Sequence, residues 1–371
     1  MEKNNDVNEK SKNKKYTIII LLFGLVIIGL VGYIIYDKFY NNAPKTENTT
    51  QDSSKIESNK QSENTNVSFV IVDIDTDEPT NYKTTVYLAS DDYFKNGTKK
   101  ELFTKNIISK SVSNNKIFYI DNTNILYVYS VENGQTETYD LMDIAVNYNT
   151  AILPGENNVV IMSTNGKALL INLKDKTKKN IDINNRRGTG VYDEKNNSLY
   201  YSTGEDIYKY DITNGQSSLV KEVKGYPAYQ DNKYIYFENE INGSEQTYSL
   251  NKETAEIKNM NITDYNTSVS SVTTYAKIDN KLFLLINNED KLIEYKEDKE
   301  SYVLEADYIQ FANIGKQLYI ATAPMENDSH ISNPGEFNKF YTYDINNSKL
   351  EVSDNQFVKE LFSYSGIYTL N

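Results

Sequence analysis

The sequence predicts an all-β head, a β-propeller of about seven blades. Three observations carry that expectation. A phrase of aromatic strand, polar turn, second strand and hairpin tip returns along the chain, as in Lys116-Ile-Phe-Tyr-Ile120 with Ile125-Leu-Tyr-Val-Tyr129 and Glu132-Asn-Gly-Gln135, and again in Leu199-Tyr-Tyr201 with Ile207-Tyr-Lys-Tyr-Asp211 and Thr213-Asn-Gly-Gln216. Seven strands that open such phrases stand about 40 residues apart, the length of one four-stranded blade. Small sheets that cannot bury a core alone must stack or close into a ring, which makes a chain of 371 residues compatible with one unit.

Residues 1–15 read as a short cytoplasmic tail, with Lys10, Lys12, Lys14 and Lys15 next to an uncharged run of Ile, Leu, Val, Gly and Phe over residues 16–36. At ~1.5 Å per helical residue that run spans a hydrocarbon core of ~30 Å. The lysines before it place the amino terminus inside and the bulk of the protein outside. The run is longer than a signal-peptide apolar region, and no small-x-small cleavage site directly follows it. Residues 37–66 are rich in Asn, Ser, Thr, Lys, Glu and Gln, with too little apolar surface to offset ordering entropy, and read as a disordered stalk.

The propeller then occupies residues 67–371. Its marked strands are Phe69-Val-Ile-Val72, Ile117-Phe-Tyr-Ile120, Val159-Val-Ile-Met162, Leu199-Tyr-Tyr201, Tyr234-Ile-Tyr-Phe237, Leu282-Phe-Leu-Leu285 and Leu318-Tyr-Ile320. Most follow a polar turn of Asn, Asp or Gly, residues that tolerate positive φ and form hairpins. Each marked strand is expected to be the second of its blade, with its partner after it and an innermost strand before it. Blade 1 lacks that innermost strand, and the segment Leu361–Leu370 is left over after blade 7. It is therefore expected to pair into blade 1 and close the ring. No amphipathic helix is expected in the head.

Composition limits the chemistry. Absence of Cys removes disulfides, thiolate metal sites and thiol catalysis, and a lone His330 excludes multi-histidine metal sites. Tyr is abundant at 32 and Trp absent, which suits half-buried strands. The formal net charge of −13 argues against nucleic acid as a partner, since phosphate binding needs concentrated Lys and Arg.

The units Ile207-Tyr-Lys-Tyr-Asp211-Ile-Thr-Asn-Gly-Gln216 and Phe340-Tyr-Thr-Tyr-Asp344-Ile-Asn-Asn-Ser-Lys349 resemble the repeats of bacterial extracytoplasmic β-propellers, the broad TolB-like and quinoprotein-like group. The resemblance covers most of residues 67–371. WD, kelch and sialidase signatures are contradicted by the missing Trp and Gly-Gly pairs. What the resemblance implies is a rigid binding platform, and no particular reaction.

Two irregular stretches attract function. Asp73, Asp75 and Asp77 alternate along an acidic run, an oxygen set compatible with Ca2+ and equally with a solvated strand end; Glu78 stands where an EF-hand requires Gly. The turn 324–337 of blade 7 is overlong and carries Glu326, Asp328 and His330. Ring closure would set these loops side by side as one acidic ligand-binding cluster. Arg186 and Arg187, beside the innermost strand of blade 4, suit either an anion near the channel or a surface ion pair. Ser329 and Ser332 beside His330 lack the orienting carboxylate and oxyanion hole of a triad. The leading expectation is a membrane-tethered scaffold or sensor for a protein, peptide or cell-wall ligand; the alternative is a hydrolase or lyase acting on glycan or peptide through paired carboxylates.

Overall fold

The computed structural model describes residues 67–75, 83–141, 144–184, 188–204, 206–239, 246–260, 262, 272–286, 291–296, 299–324 and 337–370. All lie in one compact unit, Asn64–Asn371; the tail, apolar run and stalk expected over residues 1–66 are outside them. Among the described residues no helix is long and apolar enough to cross a membrane.

Seven antiparallel four-stranded sheets form the blades. The second strands are Ser68–Asp75, Lys116–Asp121, Asn158–Met162, Ser198–Ser202, Tyr234–Asn239, Lys281–Ile286 and Gln317–Ala323, so each of the seven marked runs holds the place expected for it. Their uniform apolarity has a packing cause. A blade is covered on both faces by its neighbours, so its central strands cannot alternate wet and dry sides. Ile117 through Ile120 are accordingly all buried, as is every residue of Ser198–Ser202. Outer strands are covered only along their inner edge. Tyr139 is the sole buried residue of Thr136–Asp140 and Ile181 that of Lys178–Asp182. The charged and polar side chains there keep exposed strand edges from pairing with other chains.

The repeated phrase has a structural meaning. In blade 4 the Asp211 carboxylate accepts from the amides of Thr213 and Asn214, at 2.8 and 3.2 Å, and Gly215 takes positive φ and donates to the Asp211 carbonyl. The next amide, Ile212, donates back to Asn197 in the turn between the first and second strands. Asn172, Asn251 and Asp344 accept in the same way in blades 3, 5 and 7. Each hairpin tip is thus tied to its own blade's first turn, which fixes register at the narrow cost of one Asx side chain.

Blade 1 is completed by Gly366–Thr369, paired antiparallel with Phe69–Val72, and the Leu370 amide adds a bond of 3.0 Å to the Ser68 carbonyl. Closure therefore occurs as expected, with a shorter strand than the segment Leu361–Leu370. The first part of that segment does something else. Gln356–Leu361 is a helix, contrary to the expectation of none, and so is Tyr93–Asn96 in the outer hairpin of blade 1. Six and four residues are too short for helical periodicity to show in sequence. Asn355 caps the longer helix by accepting from the Phe357 amide at 2.8 Å, while Val358 and Leu361 are buried along one face. With Phe362 they fill the gap between blades 7 and 1, against Phe69, Tyr319 and Phe340. The two helices meet at Gly97, where a Cβ would lie 2.6 Å from the Phe357 ring, so only glycine permits that approach.

Candidate functional site

The ring has two unlike faces. On one, first and second strands join through turns as tight as Ser113 to Lys116, Ile278 to Lys281 and Ile314 to Gln317. On the other lie the connections between middle strands and between blades, which include long ones from Asp75 to Lys83, Asn239 to Gln246, Asn259 to Val272 and Ala323 to Lys339 beside one-residue links at Lys105 to Ile107 and Lys224 to Tyr226. The chain enters the propeller at Val67 on the tight-turn face.

The acidic run and the overlong turn both leave the sheet at strand ends on the second face, Asp75 and Ala323. They join the middle strands of blades 1 and 7, which are neighbours across the aromatic seam. Asp73, half-buried, and Asp75, exposed, end the second strand of blade 1 opposite Thr85 and Lys83. Asp77, Glu326, Asp328, His330, Arg186 and Arg187 fall outside the described residues. Among the described residues no three His, Cys, Asp or Glu side chains converge as a metal set would.

At the channel mouth on the tight-turn face, a cavity of about 660 Å³ is walled by first turns and innermost strands of blades 2 to 6, including Ser113, Gly155, Asp193, Asp231 and Lys277. A second of about 500 Å³ shares Lys277 and Asp279 and reaches Val67, Gly315 and Leu370, which brings in blades 7 and 1. Asp193 and Lys252 face each other at 3.7 Å with side chains 3% and 8% exposed. Gln230 bridges them to the backbone: its Oε1 accepts from the Lys252 ammonium at 2.8 Å and its Nε2 donates to the Tyr192 carbonyl at 2.6 Å. Burial pushes the Lys252 pKa down, against the opposing pull of Asp193 and Asp231. Asp231 sits 3.6 Å from the Lys277 ammonium and accepts from the Tyr236 hydroxyl at 2.9 Å. Glu194 reaches across to blade 3, where its carboxylate takes the amides of Glu156 and Asn157 and the Asn158 side chain. The residue before them is Gly155, and a Cβ there would stand 2.7 Å from that carboxylate.

Sequence reasoning passed over this network because its members come from separate blades. One clue was present: Asp193, Asp231 and Asp279 recur at the end of, or just after, an innermost strand, in turns that read as mere punctuation.

No protein-family model and no characterised protein sequence matches the chain. Solved structures do resemble it. The β-propeller domain of the trilobed protease from Pyrococcus furiosus, which has an open velcro topology, superposes with a TM-score of 0.53 at 12% identity, over 78% of this chain and 93% of that one. An acylaminoacyl peptidase in complex with a chloromethyl ketone gives 0.53 at 11% identity, over 80% of this chain and 52% of that one. TolB from Acinetobacter baumannii gives 0.41 at 14% identity, over 78% and 64%. At such identities likeness concerns fold alone. The chain is a seven-bladed β-propeller, closed by pairing of Gly366–Thr369 with its first blade.

Proposed function

We propose that the protein is a non-catalytic binding platform, tethered to the cell membrane through residues 16–36 with its propeller outside the cytoplasm, which engages a protein, peptide or cell-wall ligand on the long-connection face. The observation that carries this reading is the asymmetry of the faces. The longest strand-to-strand connections, such as Asn259 to Val272 and Ala323 to Lys339, lie on one side of the ring, while the first turns on the other side stay short, and length beyond structural need is where recognition is built on rigid scaffolds. The chain also enters at Val67 on the opposite face, which leaves the long connections remote from that point. Ca2+ held by Asp73, Asp75 and Asp77, with Glu326, Asp328 and His330 from the adjacent blade, is one means by which this face binds; Arg186 and Arg187 are a further polar contact.

A hydrolase or lyase acting through paired carboxylates requires one of them held neutral by a raised pKa. Among the described residues, the Asp175, Asp344 and Glu360 carboxylates are displaced downward by hydrogen bonds and so do not supply that acid.

The test is capture of membrane-extracted partners by the full chain and by a variant whose residues 325–336 are replaced by an Asn-Gly turn. Recovery of a specific partner by the first and its loss by the second, at equal melting temperature, is the expected result. Calorimetry with Ca2+ on the full chain, repeated on Asp75→Ala, tests the cation. No partner in either capture, together with turnover of a glycan panel, reverses the assignment.

A further inference from the structure

We propose that the cleft between blades 5 and 6 is a second binding site, for a small aromatic anion: a flat ring bearing a carboxylate or phosphate. The repeat itself shows why a cleft opens there. In four blades the residue that follows the third strand is apolar and fills the seam towards the preceding blade: Val131 between blades 1 and 2, Leu173 between 2 and 3, Ile212 between 3 and 4, and Ile345 between 6 and 7. The preceding blade fastens three of them, since Tyr139, Lys179 and Lys281 donate to the carbonyls of Leu173, Ile212 and Ile345. Two blades close the seam by other means. Lys252 of blade 5 faces Asp193, and the gap beside Asp91 of blade 1 is filled by the helix Gln356–Leu361 and Phe362. Blade 6 supplies no apolar residue at this position. Its third strand ends at Lys296, where blades 3, 4, 5 and 7 have Asn172, Asp211, Asn251 and Asp344, and the next residue in sequence is Glu297, which lies outside the described residues.

The seam without that residue holds a cleft of about 540 Å³, within the range of small-molecule sites. Its floor is apolar and aromatic: Tyr236, Met260 and Leu282 are buried, and Tyr234 and Tyr295 half-buried. The Tyr236 and Tyr295 hydroxyls donate to Asp231 and to the Met260 carbonyl, so these two residues offer the cleft their rings rather than their polar ends. Apolar surface left against water is unfavourable, and a flat body laid on it removes that exposure. The walls are basic. Lys233, Lys258, Lys277 and Lys296 line the cleft against one carboxylate among the described residues, Glu256. Lys277 is shared with Asp231 at 3.6 Å, which still leaves three ammonium groups to one carboxylate. In a chain of net charge −13 this local reversal of sign draws an anion and repels a cation. Lys233, Asn251, Asn280 and Lys296 all stand at or beside turns of the tight-turn face, so the cleft opens away from the long connections.

Titration calorimetry on the full chain at low salt, with phenyl phosphate and indole-3-acetate as probes and inorganic phosphate and benzyl alcohol as controls, tests the assignment. At least one aromatic anion binds and neither control does. Lys233→Glu, a reversal of charge at an exposed side chain, weakens that binding about tenfold, the worth of one charge-assisted hydrogen bond, without lowering the melting temperature. Glu297→Ile gives blade 6 the apolar residue of the other seams and abolishes the binding, again at an undiminished melting temperature. The variant lacking residues 325–336 keeps the binding, which separates this site from any ligand of the long-connection face. Silence with both aromatic anions, equal affinity for benzyl alcohol, or unchanged affinity in Lys233→Glu overturns the proposal. Inorganic phosphate binding as tightly as phenyl phosphate overturns the aromatic body, and unchanged binding in Glu297→Ile overturns the open seam as the origin of the site.

Discussion

The seam between blades 7 and 1 and the seam between blades 4 and 5 solve one problem with different chemistry. Blade 1 receives its innermost strand from the far end of the chain, and there the space between blades is filled by apolar and aromatic side chains. Phe94 stacks on Tyr319 at 4.3 Å and on Phe69 at 5.7 Å, Tyr93 meets Phe357 at 5.9 Å, and Phe362 is wholly buried. Blades 4 and 5 follow directly in the chain. Their outer contact is apolar, through Val191, Ile235 and Phe237, but at the channel end the joint is the buried pair of Asp193 and Lys252 with Gln230 between. Burying apolar area is favourable without exact geometry, whereas a buried ion pair roughly breaks even against its desolvation. A joint that must assemble from distant segments therefore relies on burial. A joint assembled by adjacency tolerates charge, and the tolerated charge is what makes the mouth a polar site.

The strongest way to break this contrast is to remove residues 356–371. Losing Leu361 and Phe362 alone costs about 5–10 kcal/mol by large-to-small core values, comparable with the ~5–15 kcal/mol that stabilises a whole domain. Cooperative melting is expected to vanish and the exposed edge of Ser68–Asp75 to promote aggregation. A truncated protein that melts as the parent does would show that the ring does not need its closure.

Phe362→Ala isolates the burial term while leaving the strand ladder in place. The expected loss is about 3–5 kcal/mol in denaturant unfolding. A loss under about 1 kcal/mol would mean the gap collapses around the missing ring, and the seam is then less specific than its contacts suggest.

At the other seam Lys252→Met strands a carboxylate that is 3% exposed, and the expected cost is about 3 kcal/mol. The double variant Lys252→Met with Asp193→Leu should recover most of it, because an apolar pair needs no desolvation. No comparable rescue exists at the blade 7–1 seam. Failure of the double variant to recover stability would show that the pair contributes net attraction, and would remove the distinction between the seams.

How much of this was legible in sequence follows the same division. The seven second strands were readable because two-sided burial forces continuous apolar runs such as Val159-Val-Ile-Met162. The closing strand was readable because blade 1 lacked one and Leu361–Leu370 was spare. The helix Gln356–Leu361 was not, since one buried pair at Val358 and Leu361 carries no periodicity. The channel network was not, because Asp193, Asp231, Lys252 and Lys277 become neighbours only when blades 4, 5 and 6 pack side by side. Local pattern encodes which strands exist; the polar site depends on their arrangement around an axis.

One ion pair does occur at the closure seam, and it sharpens the comparison at its smallest scale. The Lys99 ammonium lies 2.8 Å from Glu360, donates to the Tyr364 hydroxyl as well, and sits 4.9 Å above the Tyr364 ring. These contacts, with the Tyr364 hydroxyl that donates to the same carboxylate, hold Glu360 below its ordinary value of 4.5. A carboxylate whose folded pKa is depressed stabilises the fold above its unfolded pKa, and that contribution disappears as pH falls through the lower folded value. The Glu360 side chain is 38% exposed, so solvent screens the pair and the effect stays small. Glu360→Gln is therefore expected to melt slightly below the parent at pH 7, with the two curves converging as pH falls through the depressed folded value and the Glu360 side chain becomes neutral like the Gln that replaces it. A gap that stays constant throughout the acid titration would mean the side chain acts through packing against Tyr364, and the seam would then owe nothing to charge.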